Sequence, residues 1–128
     1  AALGVALAAA QRLLKRVCSE CKEPIDVPED VLERIQYHGF DYIPEPQFVH
    51  GRGCAKCKET GYKGRTAIIE VMLNWPEIQP LVLKRASGQQ IKEAAVKCGM
   101  QTLRQAGLAK AARGVTSIEQ VLEHTIAD

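Results

Sequence analysis

The chain has 128 residues, a quarter of them charged, and its 17 basic and 15 acidic side chains leave a formal charge of +2. So even a balance gives no field that would select nucleic acid or an anionic membrane as partner, and the length suits one domain or two small lobes sharing a core. Five cysteines, an odd number that includes two CxxC pairs, point to a reduced, cytoplasmic chain rather than a secreted disulfide framework.

Residues 1–16 are rich in alanine and leucine, with Leu3, Leu7 and Leu14 along one stripe and Arg12, Lys15 and Arg16 at the end. This pattern predicts a helix whose cations suit its C-terminal dipole. The apolar run Ala1 to Ala10 lacks the basic n-region of a signal peptide. It is also far shorter than the ~20 residues that span a bilayer. It reads as the end of a helix that begins upstream in a larger protein.

The helix leads into Cys18-Ser19-Glu20-Cys21, and a second pair, Cys54-Ala55-Lys56-Cys57, follows after 32 intervening residues. Each two-residue spacer lets both thiolates of a tight turn face one ion, and four thiolates complete the tetrahedral shell preferred by Zn²⁺. The long separation adds little, since each doubling of a loop costs only about 0.6 kcal/mol, against roughly 10–16 kcal/mol apparent for structural zinc. A redox dithiol in one pair, or two disulfides, are the alternatives to a zinc site with Cys18, Cys21, Cys54 and Cys57 as ligands. His50, four residues before Cys54, is a weaker candidate ligand. His38 and His124 fall near predicted helix ends with no nucleophile motif beside them.

Between the pairs, Pro24 favours extended structure. Asp26 with Glu29 forms a potential capping box, Pro28 suits a first turn, and Leu32, Ile35 and Gly39 predict a short helix over 28–38 with a glycine stop. Phe40 to Gln47 reads as an irregular connection, and Phe48-Val49-His50 as a strand delivering the second pair. Gly51, Gly53, Gly61 and Gly64 supply the backbone freedom of a metal knuckle. The order Gly61-Tyr-Lys-Gly-Arg-Thr66 does not match a phosphate-cradling GxxxxGK[ST] loop. Thr66 to Leu73 is nearly continuously apolar, which predicts a strand buried on both faces.

From Pro76 the pattern turns helical. One helix opens at Pro76-Glu77 with Pro80 in its first turn, and Ser87 with Gln90 caps a second that Gly99 stops. Thr102 caps a third that ends at Gly114, and Thr116 with Glu119 caps a fourth. Cys98 falls on an apolar face, as a buried core thiol would. The fold class expected is α+β. Residues 1–16 form a terminal helix, 17–73 a tetracysteine zinc-binding lobe with short strands, and 74–128 a small helical bundle.

Three motifs in order, Ala10-Gln-Arg-Leu-Leu-Lys-Arg-Val-Cys-Ser-Glu-Cys-Lys-Glu-Pro24, Gly53-Cys-Ala-Lys-Cys-Lys-Glu-Thr-Gly-Tyr-Lys-Gly-Arg-Thr66 and Ile69-Glu-Val71, resemble the C-terminal part of the secretion ATPases. The resemblance continues through Gly99-Met-Gln-Thr-Leu-Arg-Gln-Ala-Gly-Leu108 and Gly114-Val-Thr-Ser-Ile-Glu-Gln-Val121. These are the hexameric motors of type II secretion and type IV pilus assembly. It implies that residues 1–16 end a RecA-like ATPase core and that Cys18, Cys21, Cys54 and Cys57 are the family's tetracysteine zinc site. It further implies that residues 74–128 are the C-terminal helical subdomain, and that ATP and Mg²⁺ act in the parent protein. Partners would be neighbouring hexamer subunits and an inner-membrane platform protein, placing the parent in the cytoplasm, peripheral to that membrane.

The chain itself has no Walker A loop and no apolar strand ending in Mg²⁺-holding carboxylates. The isolated chain is therefore expected to bind zinc without hydrolysing ATP, and no catalytic residue is assigned. Arg52 and Arg65 are candidate intersubunit contacts. An alternative is a zinc-ribbon-like module contacting nucleic acid, or another protein, through Arg52, Lys56, Lys58, Lys63 and Arg65, with Tyr62 stacking on a base. A thiol redox enzyme is a third possibility, although neither pair opens a predicted helix, where an attacking thiolate usually sits.

Overall fold

A computed structural model describes residues 6–35, 37 and 45–127. The glycine stop at Gly39, His38 and most of the connection from Phe40 onward lie outside the described residues. In chain order the elements are β1 (Ala6–Val17), β2 (Lys22–Pro24), α1 (Glu29–Arg34), β3 (Val49–Gly51), a 3₁₀ turn (Ala55–Cys57), β4 (Tyr62–Leu73), α2 (Gln79–Leu83), α3 (Gly88–Lys97), α4 (Leu103–Ala112) and α5 (Ile118–His124). The α+β class expected from sequence is the one observed.

The main departure is β1. The helix expected over residues 1–16 is, from Ala6 onward, a strand paired antiparallel with β4, in a register that runs from Ala6 opposite Leu73 to Val17 opposite Tyr62. Alanine and leucine favour helix in isolation, but pairing with a β-branched partner strand overrides that preference. The side chains then alternate with period 2: Leu14 is fully buried while Leu13 and Lys15 point outward. A register shift between Lys15 and Val17 marks an irregularity before the first cysteine.

β4 begins four residues earlier than expected and is not buried on both faces. Thr66 and Ile68 turn inward, whereas Ile69 and Val71 are 52% and 38% exposed. The ribbon therefore has one packed face and one open apolar face, with Leu7 and Leu13 from β1 on the open side. On the packed face Leu14 and Ile68 meet Leu108, Ala111, Ile118 and Val121 of the helical half, with Ile35 and Phe48 from the middle of the chain. All three parts of the chain thus contribute to one core.

Helix α1 is shorter than the expected 28–38 and has no side-chain cap; Pro28 holds the N-cap position and Asp26 stays exposed. The Ser87–Gln90 capping box forms as expected, and Gly99 ends α3 at φ 109°. Thr102 caps α4 by accepting from Gln105 N at 3.1 Å. At α5 the cap shifts by one residue. Ser117 accepts from Gln120 N, because the fully buried Thr116 hydroxyl donates instead to the Lys15 carbonyl at 2.7 Å. Lys15 N in turn donates to Gln120 Oε1 at 2.9 Å, and Val17 N to the Val115 carbonyl at 3.0 Å. These three bonds fasten β1 to the segment entering α5 just before the chain reaches Cys18.

A second cluster joins Ile78, Ala95 and Met100 to Trp75 and Met72 beneath α3. Cys98 is not a buried core thiol. It occupies the C-cap of α3, half-buried, and its Sγ donates to Glu77 Oε2 at 3.4 Å while Ala95 holds the inward position.

Candidate metal centre

The turn after β1 and the 3₁₀ turn before β4 bring four cysteines together. The Sγ atoms of Cys18, Cys21, Cys54 and Cys57 all lie within 4.8 Å of one another, and three of the four residues are buried. Sulfur pairs Cys18–Cys54, Cys21–Cys57 and Cys54–Cys57 stand 3.8 Å apart. A tetrahedral shell with metal–sulfur bonds of about 2.3 Å has edges of about 3.8 Å. The same spacing is far beyond the ~2.05 Å of a disulfide, and all four thiols are free. The geometry therefore fits one ion held by four thiolates and does not fit two disulfides.

The short antiparallel pairing of β2 with β3, Lys22–Pro24 against Val49–Gly51, brings the chain entering the second cysteine pair beside the chain leaving the first. Close backbone approach then explains the glycines. A Cβ on Gly51 would fall 2.1 Å from the Gly61 carbonyl oxygen, and Gly61 itself adopts φ 82°. The Gly61 carbonyl accepts from Cys18 N at 2.9 Å, which locks the two knuckles against each other.

Backbone amides face the sulfurs. Gly53 N donates to Cys21 Sγ at 3.3 Å, and Cys57 Sγ receives Cys54 N at 3.3 Å and Gly61 N at 3.2 Å. Donors of this kind stabilise thiolate charge and orient ligands around a metal. Their effect divides the pair. Burial raises the Cys57 thiol, yet the amides of Cys54 and Gly61 and the neighbouring thiols bring it down to about 6. Cys21 is pushed up to about 12 by burial, which its single amide from Gly53 offsets only in part while the other thiols raise it further.

His50 is not among these groups. Its Nε2 lies 2.9 Å from Glu23 Oε1 across the β2–β3 pair. Cys98 also lies outside the four. Tyr62, offered as a base-stacking side chain in the nucleic-acid alternative, is otherwise engaged. Its hydroxyl sits 2.7 Å from Ser117 Oγ, and the Lys15 ammonium lies over its ring, 5.9 Å from the centroid. Sequence reasoning named the four sulfurs but not the amide donors; the signal for those was the glycine spacing around Cys54. Among the described residues no helix is long and apolar enough to cross a membrane.

Residues 2–123 match the family model described as type II/IV secretion system protein. The type IV pilus assembly ATPase PilB of Acinetobacter baylyi is 41% identical over 121 residues, covering 94% of this chain and 21% of that protein. PilB of Thermus thermophilus is 40% identical over 116 residues, 91% of this chain and 13% of the relative. The type II secretion system ATPase E of Vibrio cholerae is 35% identical over 118 residues, 91% of this chain and 22% of the relative. The chain thus spans about a fifth or less of the length of these relatives. With the family model covering nearly all of it, the chain belongs to the type II/IV secretion system protein family.

Proposed function

We propose that this chain is the metal-braced C-terminal part of an ATPase that powers type II secretion or type IV pilus assembly. Zn²⁺ would be held by Cys18, Cys21, Cys54 and Cys57. The observation that carries the proposal is the buried four-sulfur cluster with tetrahedral spacing, in a chain similar to proteins named as pilus-assembly and secretion ATPases. An all-thiolate shell with no open position suits a structural ion, and four soft sulfurs favour zinc over oxygen-seeking cations. Bound there, zinc supplies a rigid cross-link between the two knuckles.

In this reading residues 1–16, which include most of β1, are the end of the ATPase core. Residues 17–73 are the metal-binding lobe, and 74–128 are the helical part. ATP and Mg²⁺ act in upstream segments of the parent. The parent works as a hexamer in the cytoplasm against an inner-membrane platform protein, and this lobe frames rigid-body motion between subunits. The test is metal content by atomic absorption. Wild-type chain should carry one zinc per molecule and Cys54→Ser should carry much less, whereas Cys98→Ser should match wild type. The same Cys54→Ser change in the full-length protein should lower its ATPase activity. Unchanged zinc in Cys54→Ser refutes the site, and ATP hydrolysis by the isolated chain refutes the division of labour.

A further inference from the structure

Lys15 and Arg65 stand directly opposite each other in the β1–β4 register. Lys63 joins them around a notch of about 240 Å³, whose other walls are Thr60, Tyr62 and Gly64. Like charges placed opposite one another on neighbouring strands repel, and among the described residues no carboxylate lines this notch to relieve them. Lys63 and Arg65 are exposed and have no acidic partner among the described residues.

The complementary charge lies elsewhere in the same chain. Residues 25–47 hold six carboxylates against one arginine. Helix α1 turns Val31 and Leu32 toward the core, as its C-cap Ile35 does, and leaves Glu29, Asp30 and Glu33 exposed. Of these three, Asp30 pairs with Arg34 on the same exposed helix surface, a bond worth little there. Among the described residues no ion pair joins α1 to the notch. Two patches of opposite sign on one chain, joined by no ion pair among the described residues, suit a head-to-tail contact between copies, which generates rings when the rotation closes. A single-stranded nucleic acid fits the notch less well, because the Tyr62 ring and hydroxyl are already engaged.

We propose that Glu29, Asp30 and Glu33 on α1 of one copy dock against the Lys15, Lys63 and Arg65 notch of the next copy. This rests on the ring-forming reading of the parent given above and assigns two faces of its subunit interface. Such charged contacts set register and association rate, and they weaken as salt rises.

The experiment uses the full-length protein that carries this chain, in two charge-reversed forms, Lys63→Glu/Arg65→Glu and Glu29→Lys/Glu33→Lys. All four positions are exposed. Assembly is followed by sedimentation velocity at low salt. Each variant alone should associate at least about tenfold more weakly than wild type, since like charges then face each other at the contact. An equimolar mixture should regain wild-type assembly, because alternating the variants restores opposite charges at every contact. Recovery in the mixture also shows that both variants are folded. Variants that assemble alone as well as wild type overturn the contact, as does a mixture that fails to recover. Wild-type protein that stays monomeric overturns the ring reading along with the contact, which separates the two failures.

Discussion

Gly61→Ala tests how far the knuckle depends on backbone rather than on sulfur. Gly61 sits at φ 82°, donates to Cys57 Sγ at 3.2 Å and accepts from Cys18 N at 2.9 Å. A Cβ there would lie 2.5 Å from the Gly51 carbonyl oxygen, which belongs to β3 and cannot swing aside as a side chain would. Left-handed backbone costs an L-residue about 1–2 kcal/mol. Moving the strand to relieve the contact weakens two hydrogen bonds to ligand residues, each with a net worth of about 1 kcal/mol. The total is about 3–4 kcal/mol, or roughly 10²–10³-fold in zinc affinity at about 1.4 kcal/mol per tenfold. Competition with a chromophoric chelator near neutral pH measures it. Gly88→Ala, where a Cβ meets nothing within 4 Å in the first turn of α3, should bind zinc as wild type does. Gly61→Ala binding within threefold of wild type would refute the backbone account of the site.

Three further outcomes are expected. Leu14→Ala, at a fully buried position shared by strand and helices, should cost about 2–5 kcal/mol in urea unfolding, whereas Leu13→Ala, 52% exposed, should cost well under half of that; equal losses would refute the assigned register. Thr116→Val should cost about 1–3 kcal/mol by leaving the Lys15 carbonyl without its buried donor. Thr116→Ser should restore most of that loss, and failure to do so would assign the effect to packing instead. Zinc uptake by metal-stripped chain should release fewer than four protons at about pH 7.5, because Cys57, held down to about 6, is already a thiolate there. The sign follows directly: as pH falls through about 6 that thiolate is lost, so the proton count rises and zinc binding weakens. A proton count independent of pH, read with an indicator dye, would contradict this.

The four sulfurs were legible because CxxC spacing is a local constraint that survives without knowledge of the fold. The helical half was legible for a similar reason: Ser87, Gln90, Thr102, Gly99 and Gly114 act within a turn or two of themselves. The strand at the start was not. Ala6 to Val17 pairs with residues more than forty positions away, and nothing in its composition reports that partner, so intrinsic helix preference wrongly filled the gap. The alternation of Leu13 and Leu14 against the core was the available signal, masked by the alanines on either side. Thr116 shows the same limit at one residue. Its capping chemistry is sound locally, but a distant carbonyl of β1 claims the hydroxyl, and the cap passes to Ser117.

The long separation between β1 and β4 also bears on how the chain reaches its fold. Two twelve-residue strands must find each other across more than forty intervening positions, and non-local pairing of this kind is slow and leaves strand edges exposed while it waits. The four-cysteine cluster stands at the mouth of that gap, with Cys18 one residue beyond β1 and Cys57 five residues before β4. An ion captured by both pairs would therefore draw the strand ends together in register before the sheet has formed. Supply of such an ion during synthesis would then bear on yield as well as stability, because unpaired strands are prone to aggregate.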